Sequence, residues 1–208
     1  MISLAIPALL CWAVSGCSIK GMAMKGLADA LSGGGSNVYL TDEDPILVGE
    51  ALPFSLKLME TVLQETPEHE GLLVAAATGF TSYAEMWVLR PATYLERKDV
   101  QASRRGKLRA KALFLRARGY AGRALETRHP GIVDRLLRNP TEAVGDLRVD
   151  DLPAMYWFAA AHGRAISTDP GDADLLVQGR TVSALLDRGL VLDESWTRGE
   201  IGRASCRE

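Results

Sequence analysis

Three histidines, His69, His129 and His162, are the side chains best suited to acid–base work or metal binding at neutral pH. None stands in an HExxH pair, and His69 and His129 adjoin turns, where a solvated or capping imidazole is the ordinary reading. Gly33-Gly34-Gly35 has the backbone freedom of a phosphate loop, but no Lys-Ser/Thr follows it, so it reads as a flexible spacer. Asp150-Asp151 sets two carboxylates side by side. Directly ahead of a helix beginning at Leu152 they fit an N-cap favoured by the helix dipole better than a catalytic pair. No nucleophile–base arrangement stands out, and the pattern predicts a chain without catalytic residues, cofactor or metal ion.

The cysteines carry a different chemistry. Residues 1–14 hold no charge and would span roughly 21 Å as a helix, short of the roughly 30 Å hydrocarbon core of a bilayer, so they read as a signal-peptide apolar region. The run leads into Val14-Ser15-Gly16-Cys17, which resembles the lipobox of bacterial lipoproteins. That likeness implies cleavage before Cys17, diacylglycerol on its sulfur and an acyl chain on the new amino terminus. No Lys or Arg precedes the apolar run, a departure that points to a misplaced start or a lost N-terminus. Residues 200–208 read as a frame through a common sequencing adaptor, and the native sequence is expected to stop near Gly199. Cys11 then leaves with the signal, Cys17 is the anchor and Cys206 belongs to the tail. The folded part is left without disulfides, thiol nucleophiles or thiolate metal sites.

The elements that would position these groups are helical. With 208 residues, 47% apolar and 24% charged, the composition is that of an ordinary globular chain, and a net charge of −2 gives no general attraction to nucleic acid. A first amphipathic helix is expected over residues 18–31, broken by Ser32-Gly33-Gly34-Gly35-Ser36-Asn37. Leu47, Leu52, Leu56, Met59 and Leu63 recur at helical spacing between Asp44-Pro45 and Pro67. Further helices are expected over residues 70–89, 102–127, 141–147 and 152–167, with a broken one over 173–192. Strand alternation is nearly absent, which predicts an all-α architecture. Leu73-Val74-Ala75-Ala76-Ala77-Thr78-Gly79 is echoed 84 residues later by Trp157-Phe158-Ala159-Ala160-Ala161-His162-Gly163. Small residues where paired helices cross, with bulky ones beside them, suggest TPR-like helix-turn-helix repeats in a solenoid-like domain, although the spacing is looser than the 34-residue consensus.

An ordered series of motifs resembles a known family. Ser15-Gly16-Cys17-Ser18-Ile19-Lys20, Ala28-Asp29-Ala30-Leu31-Ser32, Ala51-Leu52-Pro53, Pro67-Glu68-His69-Glu70-Gly71, Arg116-Ala117-Arg118-Gly119-Tyr120, Arg128-His129-Pro130-Gly131 and Leu152-Pro153-Ala154-Met155-Tyr156-Trp157 are similar to the TatT component of TRAP, tripartite ATP-independent periplasmic, transporters. The resemblance implies a periplasmic lipoprotein of TPR-like repeats that forms a homotrimer, associates with the transporter's solute-binding protein and has no catalytic residues. Ser18 after the cysteine resembles default sorting to the outer membrane. The implied organisation is a signal peptide at residues 1–16, a lipidated N-terminus and Gly/Ser break at 17–37, a helical domain at 38–199 lacking later helices, and the adaptor-like tail.

Charge is uneven. Residues 42–70 hold eight acidic residues and one lysine, whereas residues 96–118 hold nine basic and two acidic residues. Export argues against nucleic acid, and a solvated face pairing with acidic neighbours or headgroups is the default. Phe80, Tyr83, Trp87, Tyr156, Trp157 and Phe158 are either repeat core or the walls of a cavity or partner groove. The leading reading is a lipid-anchored scaffold for a solute-binding protein; the alternative is an envelope-assembly lipoprotein that handles lipids or outer-membrane proteins. If Cys17 is the acylated terminus, protein expressed with a working start partitions into detergent and Cys17→Ala does not; equal partitioning removes the anchor.

Overall fold

The computed structural model describes residues 19–33, 39 and 41–196. The lipobox, residues 34–38 of the Gly/Ser break and the adaptor-like tail lie outside them. Among the described residues the regular elements are all helices, in the order α1 (Ile19–Gly33), α2 (Pro45–Glu65), α3 (Glu70–Tyr94), α4 (Val100–Arg128), α5 (Ile132–Arg138), α6 (Pro140–Ala143), α7 (Leu152–Thr168), α8 (Ala173–Val177) and α9 (Gly179–Leu192). The long helices pack in series, α2 on α3, α3 on α4, α4 on α7 and α7 on α9, while α1 lies across α2 and α3.

Local signals set the boundaries. Asp44 Oδ1 accepts from the backbone N–H groups of Ile46 and Leu47 at 2.9 and 3.1 Å, with Pro45 in the first turn of α2, where its missing N–H costs nothing. Asp99 and Asp172 cap α4 and α8 through Ala102 and Leu175. Helix α5 takes its cap from the preceding helix: Gly131 opens it at φ 78°, and the Glu126 carboxylate receives the N–H groups of Gly131 and Val133 at 2.5 and 2.8 Å.

Two expectations are corrected. The segment from Glu70 does not stop at Leu89 but runs on to Tyr94. A π-helical turn over Ala84–Leu89 lets the Arg90 N–H reach Glu85 O, one residue further back than the α pattern, and Pro91 then begins a new α register where no N–H is needed. Asp151 does not cap α7. Its backbone is helical, and its buried carboxylate turns back to accept from the Arg148 N–H at 2.8 Å and to meet His129 Nε2 at 2.8 Å.

Helix α3 is long and apolar enough to cross a bilayer by length and composition, yet its apolar surface is used inside the bundle against α2, α4 and α7. The echoed segments sit in α3 and α7, which flank α4 and touch each other. Their burial does not follow the echo. α3 buries Leu73, Ala76, Ala77 and Phe80, whereas α7 buries Phe158, Ala159, Ala161 and His162, so matched letters turn different faces inward.

Alanine and glycine bring the axes of these helices together. Ala110, Ala117, Ala121 and Ala124 of α4, Ala77, Ala84 and Ala92 of α3, and Ala159 and Ala161 of α7 are all buried, and α4 packs on both α3 and α7. A Cβ on Gly106 would lie 2.5 Å from that of Ala92, while one on Gly119 of the same helix would meet nothing within 4 Å. Gly106→Ala is therefore expected to destabilise the fold by about 1–3 kcal/mol. Gly119→Ala should stabilise it by about 0.5–1 kcal/mol in urea unfolding.

Candidate functional site

Where α2 leans on α3, the contact is made along small residues. Ala75, Thr78, Gly79 and Ser82 lead to Met86 and Trp87, and with Val48, Leu52 and Met59 of α2 and with Tyr39 they line an apolar groove of about 290 Å³. Two glycines shape it. A Cβ on Gly49 would stand 2.2 Å from Trp87 Nε1, and one on Gly79 would stand 2.7 Å from Leu56 Cδ2. The indole thus lies over bare backbone, and its Nε1–H donates to Pro45 O at 3.1 Å. The Tyr83 ring is stacked 6.2 Å from that of Trp87, and the Arg109 guanidinium covers Tyr83 at 5.7 Å while donating to its hydroxyl at 3.3 Å.

The six aromatic residues singled out by sequence fall into three settings. Trp87 lines the groove and Tyr83 buttresses it from behind the indole. Phe80 and Phe158 are core residues and line no groove, because helical spacing from the buried alanines turns them inward. Tyr156 and Trp157 of α7 form an edge-to-face pair at 5.1 Å, with Trp196 5.5 Å from Tyr156, and none of the three lines this groove. Sequence reasoning missed the α2 side of the groove and Tyr39. The available signal was Gly49, a glycine inside an apolar helix, which marks a close approach.

A family model described as TRAP transporter T-component matches residues 41–204, most of the chain. The chain belongs to the TRAP transporter T-component family. An uncharacterized protein of Treponema pallidum (strain Nichols) is 26% identical, over 92% of this chain and 64% of that relative, so the chain spans less than two thirds of the relative's length. That family is described as a component of TRAP transporters, a transport accessory family and not one of enzymes.

The polar groups of this T-component act as struts. Arg164 of α7 grips Glu85 of the π turn through Nε and Nη2 at 2.8 and 2.5 Å. Lys111 of α4 ties down Asp169 and Asp172 ahead of α8 at 2.8 and 2.5 Å, and these hydrogen bonds raise the ammonium's pKa. Burial pushes the Glu60 carboxyl up, but hydrogen bonds from Lys57 and Tyr120 and the nearby Arg116 outweigh it and leave the pKa below the ordinary value. The same pair raises the Tyr120 phenol, through burial first and the Glu60 hydrogen bond second. His69 Nδ1 caps α3 by accepting from the Leu72 N–H at 3.1 Å, and its Nε2 meets Asp29 of α1 at 2.9 Å. Among the described residues no cluster of His, Cys, Asp and Glu is arranged to hold a metal ion.

His162 is fully buried between α4 and α9 elements. Its Nδ1 lies 3.2 Å from Arg118 Nη1, and its Nε2 has no hydrogen-bond partner among the described residues. Burial, reinforced by the Arg118 charge, lowers its pKa to about 4 from the usual 6.5. Between these values the unfolded chain binds the extra proton, so the His162 contribution to stability falls as pH is lowered from 6.5 towards 4 and is constant below. The drop should be about 3 kcal/mol, and His162→Phe should flatten it in denaturant titrations run across that window.

Proposed function

We propose that this T-component is a lipid-anchored periplasmic scaffold that associates with a TRAP-type solute-binding protein during solute uptake. The observation that carries the reading is the family match over residues 41–204. The apolar groove between α2 and α3 gives the association a place, since it offers shape and apolar surface without reactive groups. An all-α domain of long helices packed in series suits a scaffold. Leu47 and Phe54, 55% and 74% exposed and two helical turns apart on α2, support a homotrimer through a face the protomer leaves uncovered. The lipobox at Cys17 supports anchoring, and Ser18 after it supports the outer membrane as the destination. No cofactor or nucleic acid enters the reading.

The test is capture of a TRAP-type solute-binding protein of the same organism by the full-length lipidated protein. Met86 is partly exposed at the groove rim, so Met86→Glu should leave the circular dichroism spectrum unchanged while weakening capture at least about tenfold. Tyr83→Ala with Trp87→Ala should weaken it further. Capture unchanged by Met86→Glu would move the interface off the groove. Absence of any interaction at tens of micromolar would favour an envelope-assembly lipoprotein instead.

A further inference from the structure

Residues 90–109 form one corner of the bundle, where α3 ends, the chain turns and α4 begins. Its carboxylates are already engaged. Glu96 holds Lys107, and Asp99 Oδ1 caps α4 by accepting from the Ala102 N–H at 2.8 Å. Arg90 lies 3.9 Å from Glu85, and Arg109 is taken up by Tyr83. Arg97, Lys98, Arg104 and Arg105 are exposed and make no ion pair among the described residues. Further along α4 the cations are partnered: Lys111 by Asp169 and Asp172, Arg116 by Glu60, and Arg128 by Glu70. The basic surplus visible in sequence is thus confined to a single end of the fold.

Apolar side chains project between these free charges. Tyr94 is 81% exposed, Val100 70% and Leu108 52%. Val100, Arg104 and Leu108 recur every fourth residue along one stripe of α4, beside a shallow hollow of about 380 Å³ floored by Thr168 and Asp169. What sets this corner apart is that its exposed tyrosine, valine and leucine share it with four unpaired cations. Cations that reach phosphates, a phenol ring and short aliphatic groups together are the chemistry of the bilayer interface, where aromatic rings sit among headgroups and basic side chains meet anionic lipid. A transporter component works within reach of such a surface.

We propose that this corner docks on an anionic phospholipid bilayer, a reversible membrane contact that needs neither acylation nor the groove. The full-length chain carrying Cys17→Ala is sedimented with vesicles of phosphatidylcholine alone and with vesicles containing roughly a third phosphatidylglycerol. Any contribution from the N-terminal apolar segment is common to both, so the difference between them reads the corner. Binding should be at least about tenfold tighter to the anionic vesicles and should collapse at about 0.5 M salt. It should also fall to the neutral-vesicle level in a variant with Arg97, Lys98, Arg104 and Arg105 all changed to Glu, whose circular dichroism stays that of the parent. Tyr94→Ala with Val100→Ser should weaken binding at unchanged salt dependence. Equal binding to the two vesicles, or tight binding retained by the charge-reversed variant, overturns the proposal. Loss of solute-binding-protein capture in that variant, with vesicle binding unaltered, would also overturn it and assign the corner to a protein partner. Failure of the groove test leaves these outcomes unaffected, because the two surfaces share no residue.

Discussion

The close approach of α4 to its two neighbours is the contact on which the other features of the fold depend. Helix axes pack about 8–10 Å apart, nearer where the facing side chains are small, and α4 buries Ala110, Ala117, Ala121 and Ala124 between α3 and α7 and sets Gly106 against Ala92 of α3. Phe114 and Phe158, both fully buried, fill the space that alanines leave between crossings. Such packing tolerates little added volume, which is why a single methyl at Gly106 meets Ala92 while the same methyl at Gly119 meets nothing.

Close packing along the middle leaves polar side chains at the edges, and there they fasten one element to another. Arg164 to Glu85 joins α7 to the π turn, Lys111 joins α4 to the segment before α8, and Arg128 joins α4 to the start of α3. Buried polar groups are mostly satisfied in the same manner. Asp151, 2% exposed, is met by His129 and by the Arg148 N–H, and Thr181 donates to Leu136 O at 2.8 Å. His162 Nε2, like Arg188 Nε, has no hydrogen-bond partner among the described residues, and neutrality is how the imidazole tolerates that environment.

The functional surfaces follow from where this packing loosens. Helix α2 rests on α3 through Gly49 and Gly79, and between these two contacts the groove stays open, apolar and free of any acid–base constellation. That character fits the binding role proposed for this T-component. At the far end of α3 the π turn carries the helix past Pro91 and sets Tyr94 beside the unpaired arginines of the next corner. A helix stopped at Leu89 would have left no such tip.

Much of this was legible in the linear order. Helical periodicity, Asp-Pro starts and the near absence of strand alternation determined an all-α fold, and the boundaries of α2, α4 and α7 lie within a residue or two of the expected ones, because caps and prolines act locally. The motif series identified the family for the same reason, since it is read directly from residue types in order. Tertiary packing alone decided the rest. Phe80 and Trp87 are two turns apart on one helix, yet one is core and the other lines a groove, because α4 covers the first and glycine on α2 makes room beside the second. The echo between α3 and α7 shows the same limit. Matching letters recur, but the rotation of each helix about its own axis is set by its neighbours, so Thr78 borders the groove while its counterpart His162 is sealed in the core.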